Sequence, residues 1–334
     1  MAPTALDLPW VDRRRFLRTA ATGLAMTAVP GLVGRTFGKA PEPVDSETLA
    51  AQLYRSLSEP QRQNLGFDFD HPLRSKVDNN WMITKQSIHD ALQPAQQDLV
   101  RQIFRTLHQP QHADAMMRQV VEDSEGKGFE AGTSVALFGQ PGTGKFEFVL
   151  TGRHCTRRCD GDSVAGTAFG GPIFYGHQAG PKDREQPDHP GNVFWYQARR
   201  ANEVFQALDG RQRGVALIPG DARSEQATDT VKLAGRGQPL PGIRVGDLAQ
   251  DQRGLVRGVL KDLLAPFRAV DVTEALKLIE PDFDALHLAF FQKNDLGNDG
   301  VWDVWQLEGP QLLWYFRGAP HVHCWVHIRD GAAV

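Results

Sequence analysis

The 334-residue sequence predicts an α+β fold: a single domain over 41–334 in which helices pack around an antiparallel sheet. Three observations lead there. Residues 46–57 and 94–107 place apolar side chains at helical spacing, with Leu49, Leu53, Tyr54 and Leu57 in the first and Leu99, Ile103, Phe104 and Leu107 in the second. Residues 133–177 and 286–328 turn instead to runs rich in β-branched and aromatic residues. These blocks alternate as helices, strands, helices and strands, and short turns separate the last four strands, which suits antiparallel neighbours.

The elements follow in order. Asp45-Ser46-Glu47-Thr48 is a capping cluster that opens the first helix, and Ser58-Glu59-Pro60-Gln61 opens a second with proline in its first turn. Residues 66–90 have no clear period. Pro94 and Pro110 each begin a helix. Strands are expected at 133–139, 145–155 and around 164–175, then a Pro/Asp/Gly-rich loop at 178–192 and helices near 195–208 and 246–265. The last third reads as strands at 286–292, 301–308, 311–317 and 321–328. One pattern recurs at helix starts, Leu-x-x-x-Gln at Leu57, Leu92, Leu208 and Leu248, with no fixed period between its occurrences. It reads as shared helix-start chemistry rather than a solenoid.

Composition bounds the function. Hydrophobic content of 41% and charge of 23% are ordinary for a globular chain, and a net charge of −3 gives no general attraction for nucleic acid or anionic membrane. Residues 1–40 differ. Asp12-Arg13-Arg14-Arg15-Phe16-Leu17-Arg18, followed by a weakly apolar run containing glycine and proline, resembles a twin-arginine export signal. The run is too short for a permanent membrane span. The expectation is therefore a signal peptide over 1–40, the twin-arginine translocase as partner, and a periplasmic or extracellular destination. That route carries folded proteins, often with a cofactor inserted. Cys155, Cys159 and Cys324 make an odd count and no disulfide framework, although a bulge or turn would let Cys155 and Cys159 bridge.

Gly139-Gln-Pro-Gly-Thr-Gly144-Lys145 fits the spacing of a phosphate-binding loop. The next position, where a hydroxyl would hold magnesium, is Phe146, and both flanks read as strand. A β-hairpin turn is expected, with no nucleotide. Asn294–Gly300 has a faint calcium-loop character, but position twelve counted from Asp295 is Gln306, so a hairpin turn is expected there too.

The final strand carries the strongest candidate chemistry. With a period of two, Val322, Cys324, Val326 and Ile328 share an apolar face, and His321, His323, Trp325 and His327 share the other. His321 and His323, at i and i+2, put two imidazoles on one side, close enough for one metal ion. A third ligand must come from elsewhere. His154, beside a polar turn, and His177, after Gly176, are the candidates, with Arg153 to orient an anionic or carbonyl oxygen. His327 reads as a surface residue near the C-terminus, and His189, before Pro190-Gly191-Asn192, is a fourth candidate. The Trp302, Trp305 and Trp314 group reads as core or cleft wall.

Three separated segments, residues 134–177 (SVALFGQPGTGKFEFVLTGRHCTRRCDGD…FGGPIFYGH), GDLAQDQRGLVRGVLKDLL and LHLAFF…WDVWQLEGPQLLWYFRGAPHVHCWV, resemble in order the domain-of-unknown-function 3500 family, over about residues 50–330. The resemblance implies a turn at Gly139–Lys145, a Gly-x-His motif on Gly152-Arg153-His154 and a terminal His-x-His on His321 and His323. It supplies a domain and no reaction. Two function classes follow. One is a metal-dependent enzyme, hydrolase or oxidoreductase, using zinc, copper or iron. The other is a non-catalytic periplasmic protein whose histidine and tryptophan residues form a cleft for a small-molecule ligand.

Overall fold

The computed structural model describes residues 45–178, 193–293, 295 and 300–331. The first half opens with helices α1 (Ser46–Ser56) and α2 (Glu59–Leu65) and the short strand β1 (Gly66–Phe67). Helices α3 (Ile88–Ala91), α4 (Pro94–Thr106), α5 (Pro110–Asp123) and α6 (Gly128–Gly132) follow, then strands β2 (Thr133–Gly139), β3 (Phe146–Gly152), β4 (Cys155–Cys159) and β5 (Ile173–His177). The second half repeats this order. Helices α7 (Trp195–Ala207) and α8 (Gly210–Ala216) lead into the short strands β6 (Leu217–Ile218) and β7 (Ile243–Arg244). Helices α9 (Gln250–Leu264) and α10 (Ala269–Ile279) precede strands β8 (His287–Phe291), β9 (Val304–Glu308), β10 (Leu312–Arg317) and β11 (Val322–Ile328).

All these strands join one sheet, in the order β1-β2-β3-β4-β5-β11-β10-β9-β8-β6, with β7 paired to β8. The order is the same read from either edge: a short parallel strand, then four antiparallel strands, with β5 and β11 meeting antiparallel at the centre. The two halves are therefore related by a pseudo-twofold axis through the β5–β11 seam. One side of the sheet packs on the helices through residues such as Leu137, Leu150, Tyr175, Trp314 and Val326. The other is covered by the segments 67–83 and 218–233, which bury Val149, Phe174, Leu313 and Trp325. The expected α+β class stands, and both sheet faces are dry, so strands such as β3 are buried along their whole length.

The Leu-x-x-x-Gln pattern has a physical basis that a repeat search by period does not show. In each case the Gln lies in the first helical turn, and its side-chain oxygen accepts from the backbone N–H three residues earlier: Gln61 from Ser58, Gln96 from Gln93, Gln212 from Asp209 and Gln252 from Ala249. The four then pair across helices. Gln61 and Gln96 exchange amide hydrogen bonds at 2.8 and 3.2 Å, and Gln212 and Gln252 at 3.0 and 2.7 Å. Each half thus carries one pair of helix starts locked together. The recurrence marks an internal structural repeat of two units, which variable loop lengths hide from a fixed-period reading.

Two strand boundaries differ from expectation. Residues 145–155 are not one strand: Gly152 pairs with Cys155, and Arg153-His154 form the two-residue turn between β3 and β4. Residues 164–172 are mostly irregular, and β5 begins at Ile173. Gly139 pairs with Phe146, so the glycine-rich stretch joins antiparallel β2 and β3 as a hairpin, without the helix that a phosphate loop opens. Cys155, Cys159 and Cys324 are free and buried; Cys155 and Cys159 sit on one extended strand, too far apart to bridge. Among the described residues no helix is long and apolar enough to cross a membrane. Residues 1–44, His189 and most of the 294–300 stretch lie outside the described residues.

Candidate metal centre

The site is a transverse row on the sheet face opposite the helices. Arg317 of β10 pairs with His323 of β11, and His323 pairs with Gly176 of β5. On the far side of Gly176 stands His154, in the turn before β4. The glycine lets the imidazoles meet. A Cβ at residue 176 would lie 3.5 Å from the Cβ of His154 and 2.1 Å from the Val322 carbonyl oxygen. His154 itself has φ of 52°, a left-handed conformation that costs a non-glycine residue about 1 kcal/mol or more. Its N–H donates to Asn79 O at 2.8 Å, which helps hold the turn.

Three imidazoles converge there. His323 Nε2 lies 2.9 Å from His321 Nε2 and 3.1 Å from His154 Nε2. Each ring offers one nitrogen to a common point, all within 4.8 Å of one another. The outer nitrogens decide what the inner ones carry. His154 Nδ1 is 2.7 Å from Asp123 Oδ2, and His323 Nδ1 meets Glu225 Oε2. A carboxylate only accepts, so each Nδ1 holds a proton, and a neutral ring then presents its Nε2 lone pair inward. Two lone pairs 3.1 Å apart repel unless a cation lies between or beside them. Carboxylate, imidazole and a shared inner point is the arrangement by which proteins orient metal-binding histidines.

Electrostatics favours the neutral form of His321 and His323. Burial pushes His321 down to about 3, helped by His323, His154 and the guanidinium groups of Arg317 and Arg153. Burial likewise holds His323 well below its ordinary value, with Arg317 and His154 adding to it. For Asp123 burial works against the charge, but hydrogen bonds from His154 and His177 outweigh it and hold the carboxyl well below the usual range. Its oxygens also accept from Gln119 Nε2 at 3.0 Å and from the Gln178 N–H at 3.1 Å. Burial lifts Glu225, against the pull of Arg317, whose Nε lies 3.2 Å from its other oxygen. The floor is aromatic: Phe174 meets His323 edge-on with centroids 5.2 Å apart and Trp325 at 4.6 Å.

His154, His321 and His323 thus come together as the sequence suggested. His177 does not join them. Its register partner is Val322, so its side chain leaves the sheet on the other face, and its Nδ1 lies 3.0 Å from Asp123 Oδ1. Arg153 flanks the cluster, where its guanidinium pairs with Glu125. His327 is half-buried, with Nδ1 2.9 Å from Val231 O, rather than a frayed surface residue. Sequence reasoning missed Asp123, Glu225, Arg317 and the part played by Gly176. Asp123 left one trace: it continues the buried stripe of Met116 and Val120 on α5, where a carboxylate is out of place. Glu225 lies in an irregular segment and left none.

A family model described as a protein of unknown function (DUF3500) matches residues 43–330. The chain belongs to that family. The match covers both halves of the repeat and the three-histidine row at the seam of this chain. No curated protein and no solved structure matches the chain.

Proposed function

We propose that this member of the DUF3500 family is an exported, metal-dependent enzyme in which His154, His321 and His323 hold one divalent zinc, copper or iron ion through Nε2. The observation that carries the reading is the pair of inward lone pairs on His154 and His323, fixed by Asp123 and Glu225 on their outer nitrogens. An ion held by three neutral imidazoles supplies Lewis-acid or redox chemistry at its remaining position. The protein's own groups do the rest. Asp123 and Glu225 fix ring orientation and tautomer. Arg317 and Arg153 place positive charge beside His321, suited to an anionic or carbonyl oxygen of a small substrate. Phe174 and Trp325 close the floor to water.

The test is elemental analysis of protein purified after native export. One equivalent of a first-row metal is expected, and His321→Ala and His323→Ala should each lose it while the fold survives. Metal-free protein that also gains no thermal stability from zinc, copper or iron would refute the metal reading and leave the row as the wall of a non-catalytic ligand cleft. Export rests on Arg13-Arg14. Replacing both with Lys should leave precursor in the cytoplasm; arrival in the periplasm of a strain lacking the twin-arginine translocase would show the assignment to be wrong.

A further inference from the structure

A cavity of about 430 Å³ opens on the same sheet face as the three-histidine row. Its position follows from register. Arg317, His323 and Gly176 form the first row; Tyr315, Trp325 and Phe174 form the next, an aromatic wall. One step beyond the Val326–Ile173 pair, His327 and Pro172 continue the seam, and both line the cavity. The two sites therefore occupy opposite ends of the β5–β11 seam, on either side of the pseudo-twofold axis of the repeat.

The lining is cationic. Arg74 and the fully buried Arg158 share one carboxylate, Glu147, at 3.1 and 2.6 Å, which leaves one positive charge in excess behind the floor. Arg158 Nε donates to Pro172 O at 2.6 Å, so this charge is fixed directly beneath the cavity. Lys232 and Arg329 stand at the wall, and no ion pair among the described residues engages either. Asp229 sets one carboxylate against the two. Thr167 and Thr228 also line the cavity. His327 is committed to Val231 O and is pushed down to about 4 by burial, with the charges of Arg329 and Arg158 adding to it. It therefore sits there as a neutral imidazole among guanidinium groups.

We propose that this cavity is a binding site for a small molecule bearing a carboxylate or phosphate group, held chiefly by Arg329 and Lys232. Forked guanidinium donors suit either oxyanion, and a volume of this size suits a small metabolite rather than a polymer. The site is separate from the metal centre and stands whether or not a metal binds there.

Calorimetric titration of the full chain at low ionic strength, with inorganic phosphate in one arm and succinate in the other, tests it. Saturable binding of at least one anion is expected, with Kd below about 1 mM, and the arm that binds identifies the anion class. Arg329→Gln and Lys232→Gln should each weaken it about ten-fold, a loss of about 1.4 kcal/mol, with melting temperature unchanged; Lys232 is exposed, so its variant keeps the fold. His321→Ala should leave anion binding intact. No saturation by either anion up to about 10 mM would overturn the proposal. So would binding that both charge variants retain, or binding that His321→Ala abolishes.

Discussion

Between His154 and His323 lies Gly176, and a methyl group there would meet the Val322 carbonyl oxygen at 2.1 Å. Backbone rather than a flexible side chain is in the way, so Gly176→Ala must push β5 from β11 at the point where the histidines meet. The expected outcome is loss of metal uptake together with a destabilisation of about 1–3 kcal/mol, read from metal content and urea unfolding; full metal content at unchanged stability would contradict the row geometry. A second residue reports on pH. His108 is buried, with Nδ1 2.8 Å from Phe104 O and Nε2 3.1 Å from Arg157 Nε. The guanidinium donates, so Nε2 accepts, and the neutral ring is required. Burial and then Arg157 hold its pKa well below 6.5. Above that value both states are neutral. Below it the unfolded chain takes up a proton that the folded chain refuses, so stability falls with falling pH by up to about 1.4 kcal/mol per unit. His108→Gln should flatten the acid limb of a stability–pH curve by about that slope relative to the parent chain; parallel limbs would show that His108 titrates alike in both states.

At the scale of elements, the four helix-start glutamines carry the argument. Gln96 caps its own helix through the Gln93 N–H, pairs with Gln61 and donates to Ser56 O at 2.9 Å. Gln252 does the same with the Ala249 N–H, Gln212 and Ala207 O. Gln96→Ala leaves several polar groups without partners and should cost about 2–3 kcal/mol, measured by urea unfolding. Gln61→Ala with Gln96→Ala should cost less than the sum, because the second loss removes a group the first had orphaned; strict additivity would mean that the pair does not act as a unit. Helix starts, apolar stripes and the final strands were legible in the sequence, since capping residues and side-chain period are local. The break at Arg153-His154 was not. Neither residue is a typical turn former, and the sheet imposes the positive φ of His154 against its local preference.

For the molecule as a whole, β11 is the strand on which both layers depend. Its Val322, Cys324, Val326 and Ile328 pack with the helices, and Trp325 packs under the opposite cover. Val326→Asp would bury an unpaired charge at the centre of the sheet, at a cost comparable with the whole stability of a domain. Circular dichroism should show loss of cooperative unfolding and not only a lowered midpoint, in contrast to His321→Ala and His323→Ala, which keep the apolar face intact. A folded, cooperative Val326→Asp protein would show that the seam tolerates water and that the two halves are less interdependent than the continuous sheet implies.

By itself the sequence determined the fold class, the helix starts, the hairpin at Gly139–Lys145 and the two-faced character of the last strand. Each rests on residues a few positions apart, where period, capping and turn chemistry act. It also named His154, His321 and His323, two by strand spacing and one as a candidate beside a turn. Tertiary structure decided the rest. Bringing β4, β5, β10 and β11 into one register chose His154 over His177, because one residue of register sends a side chain to the other face of the sheet. It made a bare Gly176 the gap in which imidazoles meet, and it brought Asp123 from a helix end and Glu225 from an irregular segment to the outer nitrogens. It also set one half of the chain against the other about the β5–β11 seam, which no local pattern can specify.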